Sequence, residues 1–100
     1  MKLGIITTWS EDGIKRVRDY DLENAEFCIN EGNDGAKVLA SADTVNGYLS
    51  KYGVSVGACG RWGSKRLDED GKCIDSAMEH DKNLIEFCSK IGCPVYNCGV

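Results

Sequence analysis

Long apolar runs, histidines, prolines and metal-type cysteine spacings are all scarce in this sequence, and each scarcity removes a class of protein. No apolar run approaches the ~18 residues of a membrane span, and Met1-Lys2-Leu3-Gly4-Ile5-Ile6 is too short an apolar start for a signal peptide. Positive charge is not in excess. Twelve Lys and Arg against 16 Asp and Glu leave a net charge of −4, which argues against nucleic acid or an anionic membrane as the main partner. Lys15, Arg16 and Arg18 form a small basic cluster that reads as the solvated side of a helix. One histidine and no Cys-x-x-Cys pair leave no zinc-type spacing among the six cysteines. With no export signal, reduced thiols in the cytoplasm are expected. Cys28, Cys59, Cys88 and Cys98 stand where small apolar residues would serve, and the even spacing of Cys88, Cys93 and Cys98 reads as coincidence. There is no internal repeat and no Pro- or Ser-rich linker, so residues 1–100 read as one domain.

What is present alternates between strand and helix patterns. Leu3-Gly4-Ile5-Ile6-Thr7-Thr8 is a short strand-type run at about 3–8. Ser10 then offers an N-cap, acidic Glu11 and Asp12 open a helix at about 11–20, and Arg16 and Arg18 close it, although Gly13 weakens it. Ala25, Phe27 and Ile29 alternate with Glu26, Cys28 and Asn30, which predicts a strand at about 25–30; a helix over 22–31 is the rival reading. Leu39, Ala42, Val45, Leu49 and Tyr52 recur at helical spacing ahead of Gly53 and predict a helix at about 36–51. A strand follows at about 54–59 and runs into Gly60-Arg61-Trp62-Gly63. After the acidic turn Asp68-Glu69-Asp70-Gly71, Ala77, Met78, Leu84, Ile85, Cys88 and Ile91 predict a helix at about 76–91, with Asp75 as cap and Gly92 as stop. Pro94 begins the last strand, at about 94–98.

The order β-α-β-α-β-α-β implies an α/β fold with a mostly parallel sheet. The second and third strands are apolar on one side only; the other side is read as carrying Glu26, Cys28, Ser55, Gly57 and Cys59. Small and ionisable residues on that side suit the inside of a closed barrel better than a sheet covered on both faces. A (β/α)₈ barrel takes ~250 residues, so four strands ending at Gly99-Val100 predict the N-terminal half of a TIM barrel with a parallel four-stranded sheet.

Several stretches resemble the xylose isomerase-like TIM barrel family of sugar and sugar-phosphate isomerases and epimerases. They are Met1-Lys2-Leu3-Gly4-Ile5, Ala25-Glu26-Phe27, Gly53-Val54-Ser55-Val56 leading into Gly60-Arg61-Trp62-Gly63, and Leu84 through Val95. The resemblance spans this chain but only the N-terminal half of the family's domain. It implies a divalent metal, Mn²⁺, Mg²⁺ or Co²⁺, held by Glu, Asp and His on later strands. None of those ligands falls within this sequence, so neither catalytic nor metal-binding residues are assigned, and the chain alone is expected not to catalyse.

The resemblance does imply the first-half wall of a pocket for a small sugar or sugar phosphate. Trp9 would stack on a sugar face, with a hydrophobic lid as the plain alternative. Glu26 would lie inside the barrel, as an acid/base group or in a structural ion pair, with Arg61 or a residue of the missing half as partner. Asn30, Arg61, Trp62 and Asn97, at strand ends, would bind hydroxyls or a phosphate; an ordinary exposed loop is the alternative for Arg61-Trp62. His80, mid-helix, is expected to be a surface or packed residue and not a ligand, and Asp81, on that helix's apolar stripe, to be partly buried and bonded to a strand-end or loop donor. Two other functions remain open: a non-catalytic half-barrel that self-associates by burying Cys28, Ser55 and Cys59, and a flavodoxin-like nucleotide module. Thr7-Thr8-Trp9-Ser10 counts against the last, having no Gly-rich phosphate cradle.

Overall fold

The computed structural model describes residues 2–99; Met1 and Val100 lie outside the described residues. Four parallel strands stand side by side in chain order: β1 (Gly4–Thr7), β2 (Asn24–Cys28), β3 (Ser55–Arg61) and β4 (Tyr96–Cys98). Between them run α1 (Glu11–Asp19), α2 (Gly35–Ala40), α3 (Ala42–Tyr52) and α4 (Asp75–Lys90). The alternation of Ala25 and Phe27 with Glu26 and Cys28 thus forms a strand, not the rival helix. No strand order reverses, so there is no switch-point crevice of the doubly wound kind. The arrangement is α/β and compatible with half of a TIM barrel.

All the apolar helix stripes pack on one side of the sheet. Ile14 and Val17 of α1, Val45 and Leu49 of α3, and Leu84 and Phe87 of α4 form a single buried cluster with Ala25, Phe27, Val56 and Cys59 of the strands. Among the described residues no helix covers the opposite, inner face. Ile6, Glu26 and Ala58 are register partners there, and Ile6 is 67% exposed.

Cys59 corrects the expected inner face. The β2–β3 register shifts between Ala25 and Glu26, so that Ala25 pairs with Val56 but Glu26 pairs with Ala58. Gly57 is the extra residue of a β-bulge. Past it the alternation inverts: Ala58 and Gly60 face inward, while Cys59 turns to the helices and is fully buried.

The long helix expected over 36–51 is two helices broken at Ser41. Its hydroxyl donates to the Val38 carbonyl at 2.6 Å, competing with the continuing ladder. Asp34 caps α2 through Ala36 N–H at 2.9 Å, and Gly53 closes α3 in the left-handed region with φ 64°. Asp75, expected as the cap of α4, is instead its first residue; Ile74 occupies the cap position without a side-chain bond.

Gly13 has a different role from the weakness expected of it. Ser10 caps α1 by accepting from Gly13 N–H at 3.1 Å, and the Thr7 hydroxyl donates to the Gly13 carbonyl at 2.9 Å. A Cβ on Gly13 would lie 2.5 Å from the Thr8 carbonyl oxygen, so only glycine lets α1 settle onto the end of β1. Helix propensity alone makes Gly13→Ala stabilising by about 0.5–1 kcal/mol. We expect the opposite, a loss of about 1–3 kcal/mol from overpacking against backbone, read from the urea midpoint. A raised midpoint would show that this approach is not close.

Candidate functional site

The carboxyl ends of β2, β3 and β4 are tied into one edge by backbone bonds that continue past the strands. Ile29 N–H donates to the Gly60 carbonyl at 2.8 Å, Glu31 N–H to that of Trp62 at 3.3 Å, and Gly99 N–H to that of Arg61 at 3.1 Å. Ligands of parallel α/β proteins bind at this end of the strands.

On the inner side of this edge the structure gathers Asn30, Trp62 and Asn97. Asn30 Oδ1 accepts from Trp62 N–H at 3.3 Å and from the Cys28 thiol at 3.3 Å, which fixes its amide. The Trp62 indole lies across Gly60 and against Gly99; a Cβ on either glycine would run into the ring. Trp62 nevertheless remains 37% exposed, and Asn97, the register partner of Gly60, is exposed beside it. Farther down the same face lies Glu26, half-buried. The three ion pairs among the described residues are Lys15–Asp19, Lys51–Glu11 and Arg66–Asp81, so Glu26 is not paired with Arg61.

Arg61 and Trp9 sit apart from that group. Arg61 follows Gly60 on the alternating strand and so turns to the helix side, where it is 3% exposed. Its guanidinium donates from Nε to Ser64 Oγ at 3.3 Å and from Nη1 to the Asn33 carbonyl at 3.1 Å, bracing the loops after β2 and β3. Trp9 packs partly against the core and borders a separate hollow with Asn33, Asp34 and Lys37.

Beneath Arg61 lies a buried ionic network. Asp81 of α4, 8% exposed, receives both arms of Arg66, from Nε at 3.0 Å and Nη2 at 3.1 Å, and the Tyr96 hydroxyl at 2.5 Å. Arg66 Nη1 also donates to the Ser64 and Gly99 carbonyls, each at 2.9 Å. The expected burial of Asp81 against loop and strand donors is therefore present, with Arg66 as the partner that no local pattern names. Burial pushes the Asp81 carboxyl up, but the bonds from Arg66 and Tyr96 outweigh it and hold it below the ordinary value. Burial first, and the bond to Asp81 next, raise the Tyr96 hydroxyl. His80 is half-buried, its Nδ1 accepting from Gly35 N–H at 3.1 Å.

The inner-face group offers an indole face, two carboxamides and one carboxylate, a set suited to stacking on a sugar ring and bonding its hydroxyls. It does not suit a hard divalent cation, which wants several oxygen ligands converging on one point. Among the described residues, the grouping of three or more potential ligand side chains is Cys59, Cys88 and Cys93, on the opposite side of the sheet.

No protein-family model and no curated protein matches the sequence. The fold is similar to that of the 3-keto-D-glucoside 4-epimerase YcjR from E. coli, in its apo form, with a TM-score of 0.65 at 12% identity. The similarity covers 96% of this chain and 36% of the epimerase chain. No helix is long and apolar enough to cross a membrane among the described residues.

Proposed function

We propose that this chain forms the first part of a cytoplasmic sugar or sugar-phosphate isomerase or epimerase of the xylose isomerase-like type. The observation that carries the reading is the fold shared with a sugar epimerase, with Trp62, Asn30 and Asn97 on the inner face at the carboxyl ends of the strands. Trp62 would stack on the sugar, Asn30 and Asn97 bond its hydroxyls, and Glu26 meet a polar group deeper in the barrel. Arg61 would act on a phosphate only by leaving Ser64 and Asn33, so its first role is to hold the loop that carries Trp62. Trp9 would close the pocket from the first loop. The Mn²⁺, Mg²⁺ or Co²⁺ of such enzymes would take its ligands from outside this chain, since the residues present do not fit it, and no chemical step is assigned to these residues.

Indole fluorescence tests the pocket. Titration with a 3-keto-glucoside should give a saturable change with a Kd of about 1 mM or weaker, as befits a partial wall. The change should disappear in Trp62→Ala and persist in Trp9→Phe. Absence of any saturable response in the wild-type chain would remove this reading.

A second reading, a self-associating half-barrel without catalysis, is favoured by the exposure of Ile6 on the open face. The residues it would bury are Ile6, Cys28 and Ser55, without Cys59. A well-folded monomer by sedimentation at high concentration would exclude it.

A further inference from the structure

On the helix side of the sheet, the thiols of Cys59, Cys88 and Cys93 converge from three segments: mid-β3, the end of α4, and the turn before β4. Their sulfurs all lie within 4.8 Å of one another, and the residues are 0%, 4% and 7% exposed. Backbone bonds fix the arrangement. Cys93 N–H donates to the Cys88 carbonyl at 2.9 Å, while the Val95 carbonyl accepts both Cys59 N–H at 3.0 Å and the Cys93 thiol at 3.3 Å. With metal–sulfur bonds of about 2.3 Å, the sulfurs of a digonal site stand about 4.6 Å apart and those of a trigonal site about 4 Å. Little movement is therefore needed to close this trio on an ion.

We propose that Cys59, Cys88 and Cys93 form a thiolate site for a soft d¹⁰ cation, Cu(I), which would clamp β3 to the turn between α4 and β4. Soft sulfur ligands select such an ion. Zinc in a closed structural site wants four ligands, and the grouping contains three; Cu(I) is satisfied by two or three. Each thiol that ligates gives its proton to solvent. Entry would pass through Cys93, which follows the exposed left-handed Gly92 with φ 71°.

The test is anaerobic titration of the chain with Cu(I), delivered as its acetonitrile complex against a competing chelator. The wild-type chain should bind one equivalent with a thiolate-to-copper absorption band. Peptide-resolved alkylation should then be at least tenfold slower at Cys59, Cys88 and Cys93 than without metal, and unchanged at Cys28, Cys73 and Cys98. The variant Cys28→Ala/Cys73→Ala/Cys98→Ala leaves the buried trio intact and should keep the full stoichiometry. Protection at the outer three cysteines instead, a folded triple variant that takes up no Cu(I), or Zn²⁺ displacing Cu(I) at equal concentration would each overturn the proposal.

Discussion

Asp81→Ala is expected to remove about 3–5 kcal/mol, the usual cost of leaving a buried charge without its partner, from a domain whose whole stability is about 5–15 kcal/mol. The change strands the Arg66 guanidinium and the Tyr96 hydroxyl together, and with them the loop that reaches Ser64 and Gly99. Arg66→Met should cost comparably, and the double variant far less than the sum, with a coupling of about 0.5–3 kcal/mol. Acid provides a second reading of the same pair. Because the folded pKa of Asp81 is lowered, its contribution is complete above the unfolded value of about 4 and is lost as pH falls through the folded one. Tyr96 has the opposite sense: its folded pKa is raised, so its contribution is complete below about pH 10 and is lost as pH rises toward the folded value. Urea midpoints of wild type and Asp81→Asn should therefore differ most near neutral pH and converge in strong acid. A constant difference across the acid range would mean that the carboxylate is not ionised in the folded chain.

The second large effect separates the two sides of β2. Phe27 is fully buried among the helices, and Phe27→Ala should cost about 3–5 kcal/mol from lost transfer energy and the cavity left behind. Glu26, one residue earlier, faces the open side, and Glu26→Gln should change stability by no more than about 0.5 kcal/mol. Denaturant unfolding of the two variants measures this directly. Were Glu26→Gln to cost several kcal/mol in the isolated chain, the inner face would have to be covered by a second copy, and the self-association reading would displace the pocket wall.

Strands and faces were legible wherever residue type tracks burial. Ala25 and Phe27 against Glu26 and Cys28 declare their sides because one set meets helices and the other meets water. Other features were not legible. Ser41 breaks a helix whose apolar spacing continues across it, since a single hydroxyl bond leaves no mark on periodicity. Arg66 lies 15 residues from Asp81, and only tertiary folding selects it from the other basic side chains. The cysteine trio was hidden because Cys59 was assigned to the wrong side, while Cys88 and Cys93 have no partner visible from spacing alone. Of the candidate site, sequence placed Asn30, Trp62 and Asn97 at strand ends, where they do gather. It did not show that Arg61 turns away from them, because strand alternation separates neighbours that a motif reads as a unit.

The bulge at Gly57 makes the composition of the inner wall a matter of counting, not of residue type. One inserted residue rotates everything after it by half a repeat: it sends Trp62 toward the open side and places Cys59 and Arg61 against the helices. Were Gly57 instead taken into the ladder opposite Glu26, the two sets would exchange, setting a guanidinium and a thiol where the indole now stands; removing Gly57 would leave Ala58 opposite Glu26 and Cys59 opposite Phe27, as they are. The identity of the pocket lining is thus held by where the ladder sets its extra residue, and straightening the bulge would alter the lining more than any single side-chain replacement within the wall, whereas a deletion at position 57 would keep it.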